Sequence, residues 1–461
     1  MVAIHLFPRK RLAMSGFVLR IYSGLMRLAQ PLLRRKMAKR ALQEPGYGEA
    51  VDERFGRYTQ PREMSSTGSS SLVWVHAVSL GETRTAAILL KALREQHPGL
   101  RLLLTHGTAT GRAEAKALLQ PGDIQVWQPW DTHAVVERFF DHFKPRLGLL
   151  METEIWPCLV SSAKARSMPL VLVNGRLSDK SLQQALRMSP LAYSAYAALT
   201  AVYAQTATDA RRYRQLGVEV AGVFGNLKFD AAPSESQQAI GKAWRRALNQ
   251  PVVMFASSRD AEEALFLEEI KAVAHHVKAQ AATDNIAIKS PLKWLTKYLI
   301  VPRHPQRFDE VAALVLQYGL TLSRHSSWQS SPFENDEAIR ADIWLGDTLG
   351  EMPLYYALSD VALLGGSFKK LGGQNLIEAA ACGCPVVMGP HTFNFFEAAE
   401  LAESAGAAHR VADMAGAVHW AVQRVNDREG QARMSQAALA FASTHQGATR
   451  RTVEALAAYL S

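Results

Sequence analysis

Leu72-Val-Trp-Val-His-Ala-Val-Ser-Leu-Gly-Glu82 opens the first compact region of the chain with a short β-rich run, Leu72–His76, then a turn and a glutamate heading a helix-length segment. Similar runs follow at Leu100–Thr105, Ile124–Trp127, Leu147–Met151, Leu170–Val173 and Thr200–Ala204, separated by segments such as Thr85–Gln96, Arg112–Leu119 and Thr132–Phe143. Strands with little polar alternation, interleaved with helices, predict a parallel sheet covered on both faces. A second series begins after Asp230–Glu235, with candidate strands Val252–Ala256, Tyr298–Val301, Asp342–Leu345, Val361–Leu364 and Pro385–Met388. The fold class is therefore α/β, with two doubly wound domains whose strand ends face a cleft.

The length of 461 residues supports that count, since a single core stops growing at roughly 250–300 residues. We place the boundaries at 1–45 for a basic N-terminal segment, 46–230 for the first domain and 231–461 for the second, whose last helix could pack back on the first. The stretch Met64–Ser71 reads as a linker, and Ala281–Trp294 as an insertion before the Tyr298 strand. Cys158, Cys382 and Cys384 make no paired disulfide framework and no zinc-type cluster, so the body reads as reduced and cytosolic.

The net charge of +10 is local: residues 9–40 hold ten Lys and Arg, and the first acidic residue is Glu44. Met14, Val18, Ile21, Leu25, Leu28 and Leu32 fall on one helical face, and Arg20, Arg27 and Arg34 on another. The uncharged runs are shorter than the roughly 20 residues that span a bilayer. This predicts a helix lying on anionic membrane lipid. Packing on the protein's own body and a nucleic-acid arm are the alternatives, and the apolar stripe argues against the arm.

Three places share a cap residue followed three positions later by glutamate: Ser79/Glu82, Thr348/Glu351 and Asn375/Glu378. A capping box would explain each. Around the third, Gly365-Gly-Ser-Phe-Lys-Lys-Leu-Gly-Gly-Gln-Asn375 suggests a phosphate-binding loop, with amides at a helix start and with Ser367, Lys369 and Lys370 as donors. Glu378 would then accept from sugar hydroxyls. Val301-Pro-Arg-His-Pro305 fixes Arg303 between two prolines, a restrained guanidinium for a phosphate or base carbonyl. His304 reads equally as a contact or a supporting group.

Glu82, after the first strand, would serve as general base if its pKa is raised. Glu152 and Glu154 in Met151-Glu-Thr-Glu-Ile-Trp-Pro157 need partners, and Arg176 is one candidate. No G-x-G-x-x-G opens the first domain and no P-loop occurs, which weakens nicotinamide and nucleoside-triphosphate readings.

Taken in order, HAVSLGE (His76–Glu82), METEIWP (Met151–Pro157), NGRLSDKS (Asn174–Ser181), GNLKFD (Gly225–Asp230), VPRHPQRF (Val301–Phe308), GDTLGEM (Gly346–Met352) and GGQNLIEAAACGCPVVMGPHTFNF (Gly372–Phe395) resemble the motif series of the 3-deoxy-D-manno-octulosonic acid (Kdo) transferases. The resemblance covers nearly the whole chain. It implies a GT-B glycosyltransferase with two Rossmann-like domains, transferring Kdo from CMP-Kdo to the tetraacylated lipid A precursor with inversion, without a metal, on the cytoplasmic side of the cell inner membrane. It puts the general base at Glu82. The CMP contacts fall on Pro302 and Arg303, on Leu349, Gly350 and Glu351, and on Asn375, Leu376, Ile377 and Glu378. Gln374 stands where histidine is expected, so a cationic role there is lost.

Two other functions fit less of the chain. A GT-B enzyme using a UDP- or GDP-sugar on another acceptor leaves the N-terminal stripe without purpose. A non-enzymatic membrane or RNA-binding module leaves the neutral body unexplained, and no RNA-reading motif is present.

Overall fold

The computed structural model describes residues 10–62, 72–283, 296–328, 330–334 and 336–460. The Met64–Ser71 linker and all of the 281–294 insertion beyond Thr283 lie outside the described residues. The chain divides into two compact units, residues 1–230 with 446–461, and residues 231–445. The second unit thus ends at His445 rather than at the C-terminus.

The first unit holds seven parallel strands: β1 (Leu72–His76), β2 (Arg101–His106), β3 (Ile124–Trp127), β4 (Leu147–Met151), β5 (Leu170–Gly175), β6 (Ala201–Ala204) and β7 (Val220–Val223). Their order is β3-β2-β1-β4-β5-β6-β7, so the winding reverses between β1 and β4. Every residue of β1 is buried because both faces are covered. Leu72 and Trp74 enter a cluster with Phe139, Phe140 and Phe143. Val73 and Val75 enter the opposite one with Leu89, Leu93, Val453 and Leu456. Each such side chain contributes about 1.5–3 kcal/mol on burial, which is why the run is apolar throughout.

The last helix, Ala448–Leu460, belongs to this unit. Asp230 accepts from Gly447 N and Thr449 N at its start, and Arg451 donates to the Phe224 carbonyl at 2.7 Å.

The second unit repeats the plan with β8 (Val252–Ser258), β9 (Lys297–Pro302), β10 (Leu322–Arg324), β11 (Ile343–Leu345), β12 (Val361–Leu364), β13 (Val386–Met388) and β14 (Ala408–Arg410). The order β10-β11-β9-β8-β12-β13-β14 reverses between β8 and β12. β7, β10 and β14 have no counterpart among the expected strands. Each is an edge strand of three or four residues, too short for a period-2 pattern to register.

At the N-terminus, α1 (Lys10–Leu28) and α2 (Gln30–Ala41) follow one another. Leu19 and Tyr22 pack on the first unit's core, while Trp130 Nε1 donates to the Met26 carbonyl and His133 N to Ser23 Oγ. Phe17, Ile21, Leu25, Leu28 and Leu32 remain exposed, Leu28 by 78%. One face is thus docked on the protein, and the face carrying most of the expected stripe is left to solvent. No described helix is long and apolar enough to cross a membrane.

Candidate active site

In the first unit the site grows from β1 and β4, the strands flanking the reversal, where ligands gather in open α/β sheets. Ser79 ends the β1 turn by accepting from Glu82 N and starts α3 (Leu80–Gln96). Glu82 reaches back: Oε2 accepts from Val78 N at 2.8 Å, and Oε1 from Ser79 Oγ at 3.1 Å. This is a capping box displaced by one residue, since the usual box uses the amide of the cap itself. Burial pushes the half-buried carboxyl up to about 7; the Val78 amide opposes the rise, and the charges of Glu152 and Glu154 add to it.

Two buried imidazoles support this turn. His106 Nδ1 lies 2.9 Å from the Ala77 carbonyl, and His76 Nδ1 lies 2.8 Å from Thr105 Oγ1. Burial lowers their pKa values to about 4 and about 3, so both are neutral at working pH.

At the end of β4 the backbone of Glu152 takes a left-handed φ of +58°, which costs a residue with a Cβ of order 1–3 kcal/mol. The surroundings hold it there. Its amide donates to the Val173 carbonyl at 3.0 Å, and its carbonyl accepts from Arg176 N at 3.2 Å and Tyr213 OH at 3.3 Å. Glu152 Oε1 then accepts from Lys228 Nζ at 2.8 Å.

Two asparagines place that lysine: Asn174 Oδ1 accepts from Leu227 N and Asn226 Oδ1 from Lys228 N, each at 3.0 Å. Arg176 therefore meets Glu152 through its main-chain amide, and Lys228 supplies the cation. The Asn-Leu-Lys turn at 226–228 was the available signal, but which acid the lysine meets depends on a fold. Glu154 accepts from Trp156 Nε1 at 2.9 Å, and burial raises its pKa.

In the second unit, Arg303 follows β9, its amide donating to the Ser258 carbonyl at 3.0 Å and its Nε to Gln374 Oε1 at 3.3 Å. Burial lowers the pKa of His304, and the charges of Arg259, Arg303 and Arg307 add to the fall. Arg307 is held by Glu263 at 2.6 Å and Glu310 at 3.0 Å. Arg259, absent from the expected set, makes no ion pair among the described residues and lies beside Gly366.

Of the two remaining predicted segments, the helix Met352–Leu358 that Glu351 heads touches the helix Ile377–Ala381 that carries Glu378. Gly350 turns at φ +80° and leaves Leu349 73% exposed. Thr348 Oγ1 donates to Glu351, and His325 Nδ1 lies 3.3 Å from the same carboxylate. Asn375 Oδ1 accepts from Ile377 N at 3.1 Å. The side chains of Leu376 and Ile377 are buried, so these two residues meet a ligand only by main chain. Glu351 is itself the N-cap of its helix and Glu378 is the second residue of a helix whose N-cap is Leu376, so neither stands at the third helical position after a Thr348 or Asn375 cap.

The glycine loop departs from the phosphate-loop expectation. Ser367 is fully buried, donating to the Leu364 carbonyl at 2.5 Å and accepting from Gly389 N at 2.8 Å, so it offers no ligand donor. Gly366 N and Phe368 N donate to Glu262 at 2.7 and 3.2 Å. The following helix is only Ile377–Ala381. A Cβ on Gly365 would run into the Ser257 carbonyl, so the glycine there serves close backbone approach. No group of three or more His, Cys, Asp or Glu suited to a metal occurs among the described residues.

Two units, each a seven-stranded parallel sheet between helices, make the two-Rossmann-domain architecture of a GT-B glycosyltransferase. The family described as 3-Deoxy-D-manno-octulosonic-acid transferase (kdotransferase) matches residues 49–231. A 3-deoxy-D-manno-octulosonic acid transferase of Bordetella pertussis is 44% identical over 446 residues, 95% of this chain and 99% of the relative. Its counterpart in Haemophilus influenzae is 29% identical over 451 residues, 95% and 98% of the two chains. The solved UDP-GlcNAc 2-epimerase of Neisseria meningitidis, at 14% identity and a TM-score of 0.52 over 84% of this chain and all of that one, shares the fold alone. The chain belongs to the 3-deoxy-D-manno-octulosonic acid transferase family.

Proposed function

We propose that this enzyme transfers Kdo from CMP-Kdo to a hydroxyl of the tetraacylated lipid A precursor, inverting the anomeric centre and releasing CMP, in lipopolysaccharide core biosynthesis. The observation that carries the mechanism is Glu82, a carboxyl at the reversal of the first sheet whose pKa of about 7 suits proton abstraction at neutral pH. Glu82 takes the acceptor hydroxyl's proton. The acceptor oxygen bonds to the anomeric carbon as the carbon–oxygen bond to CMP breaks, and the electron pair leaves on the phosphate.

Arg303 stabilises the charge growing on that phosphate, and Arg259, whose charge also reaches His304, adds a second guanidinium. Pro302, Leu349, Gly350, Glu351 and Asn375 to Glu378 shape the rest of the CMP site. The Lys228–Glu152 pair offers a fixed charge near the base. The exposed ridge Phe17, Ile21, Leu25, Leu28 and Leu32, next to the basic α2, holds the enzyme on the cytoplasmic leaflet of the inner membrane. There it meets an acceptor that stays in the bilayer.

Incubation with CMP-Kdo and lipid A precursor, followed by product mass, tests the reading. Addition of Kdo is expected. Transfer from UDP- or GDP-sugars instead would replace it with the other glycosyltransferase reading.

A further inference from the structure

Helix Glu262–Thr283 starts directly behind the glycine loop with two fully buried carboxylates. Glu263 has a cation and a hydroxyl: Arg307 Nη1 at 2.6 Å and Ser258 Oγ at 2.8 Å. Glu262 makes no ion pair among the described residues. Its Oε2 instead accepts from Arg259 N at 3.1 Å and Gly366 N at 2.7 Å, and its Oε1 from Phe368 N at 3.2 Å. A carboxylate withdrawn from water is costly unless fully hydrogen-bonded, and converging amides are the arrangement by which backbone nests hold anions.

The contacts continue toward the donor site. Gly366, held through its amide, accepts from Gly373 N at 2.8 Å through its carbonyl. The next residue, Gln374, places Oε1 at 3.3 Å from Arg303 Nε. One buried carboxylate thus anchors the loop after β12 at Gly366 and Phe368, and Gly366 in turn holds Gly373.

We infer that Glu262 is a positioning residue for donor binding: it is the built-in anion of the glycine loop, occupying amides that such loops elsewhere give to a phosphate, and so fixing Gln374 and Asn375 against Arg303. The donor's phosphate is thereby directed to the guanidiniums rather than into the loop. The inference rests on the proposed donor site in this unit.

Two measurements on the full-length enzyme test it. For Glu262→Gln, whose amide must point an N–H at a backbone donor, the CMP dissociation constant and the donor KM should rise at least about tenfold, with kcat falling less than about threefold. Glu262→Asp, which keeps the charge but shortens the reach, should fall between wild type and Gln. A folded Glu262→Gln enzyme binding CMP within twofold of wild type would overturn the inference.

Should that variant fail to fold, hydrogen exchange of the wild-type segment 365–370 decides alone. Protection without CMP is expected. Amides that exchange freely until CMP is added would belong to the donor phosphate, and the idea would fall. Wild-type enzyme that binds no CMP would instead sink the donor-site reading beneath it.

Discussion

Lys228 Nζ lies 2.8 Å from Glu152 Oε1, joining the end of β4 to a turn 76 residues later. The pair is largely withdrawn from solvent, at 21% and 15% side-chain exposure. Glu152 is also among the charges that raise the Glu82 pKa, so the ion pair and Glu82 are electrically linked.

Lys228→Met should leave Glu152 uncompensated, destabilising the fold by about 1.5–3 kcal/mol, the range for a hydrogen bond to a charged group. It should also move the rate profile to higher pH, because an unpaired Glu152 holds the proton on Glu82 more strongly. Glu152→Gln should move the profile the other way. Initial rates between pH 5.5 and 8.5 measure both, and equal midpoints in the two variants would refute the linkage.

Glu82→Gln should lose at least about a hundredfold in turnover, the lower range for a general base, while CMP binding stays within about twofold of wild type. Turnover near wild type would make Glu82 a helix cap alone and shift attention to Glu152 and Glu154.

For the wild type, kcat/KM should rise with pH and level off above about 7, where Glu82 is ionised. Stability should respond with the opposite sign. The folded-state pKa is raised from the ordinary 4.5 to about 7, so the folded protein keeps a proton that the unfolded chain releases. The stabilising contribution is complete below 4.5 and is lost as pH rises through 7. Glu82→Gln should therefore flatten the fall of the melting temperature between pH 4.5 and 7, as thermal unfolding will show.

Arg303→Ala should raise the CMP dissociation constant about ten- to a hundredfold, on the scale of about 1.5–3 kcal/mol for a charged hydrogen bond. Gln374→Ala, which frees the guanidinium from its 3.3 Å contact, should cost less. Calorimetric titration with CMP separates them, and an Arg303 variant binding as wild type would remove Arg303 from the site.

Replacing Ile21, Leu25 and Leu28 with Ser should release the enzyme from anionic vesicles while leaving the melting temperature within about 2 °C, because these side chains face solvent. Vesicle sedimentation reads the first effect. A large loss of stability with binding intact would show that the ridge serves the fold.

Residue order alone determined the α/β class, the two-unit count, most strands and the positions of Glu82 and Arg303, because these depend on local periodicity and on turns a few residues long. The first strand, Leu72–His76, is legible since a strand covered on both faces is apolar at every position. Tertiary structure alone decided which group meets which. Glu262 takes Gly366 N across 104 residues, and Lys228 finds Glu152 across 76. Such pairings follow from sheet order and from backbone turns such as the left-handed Glu152. They turned the expected phosphate loop into one already holding its own anion, since an amide donor shows its acceptor only when a distant segment is packed against it.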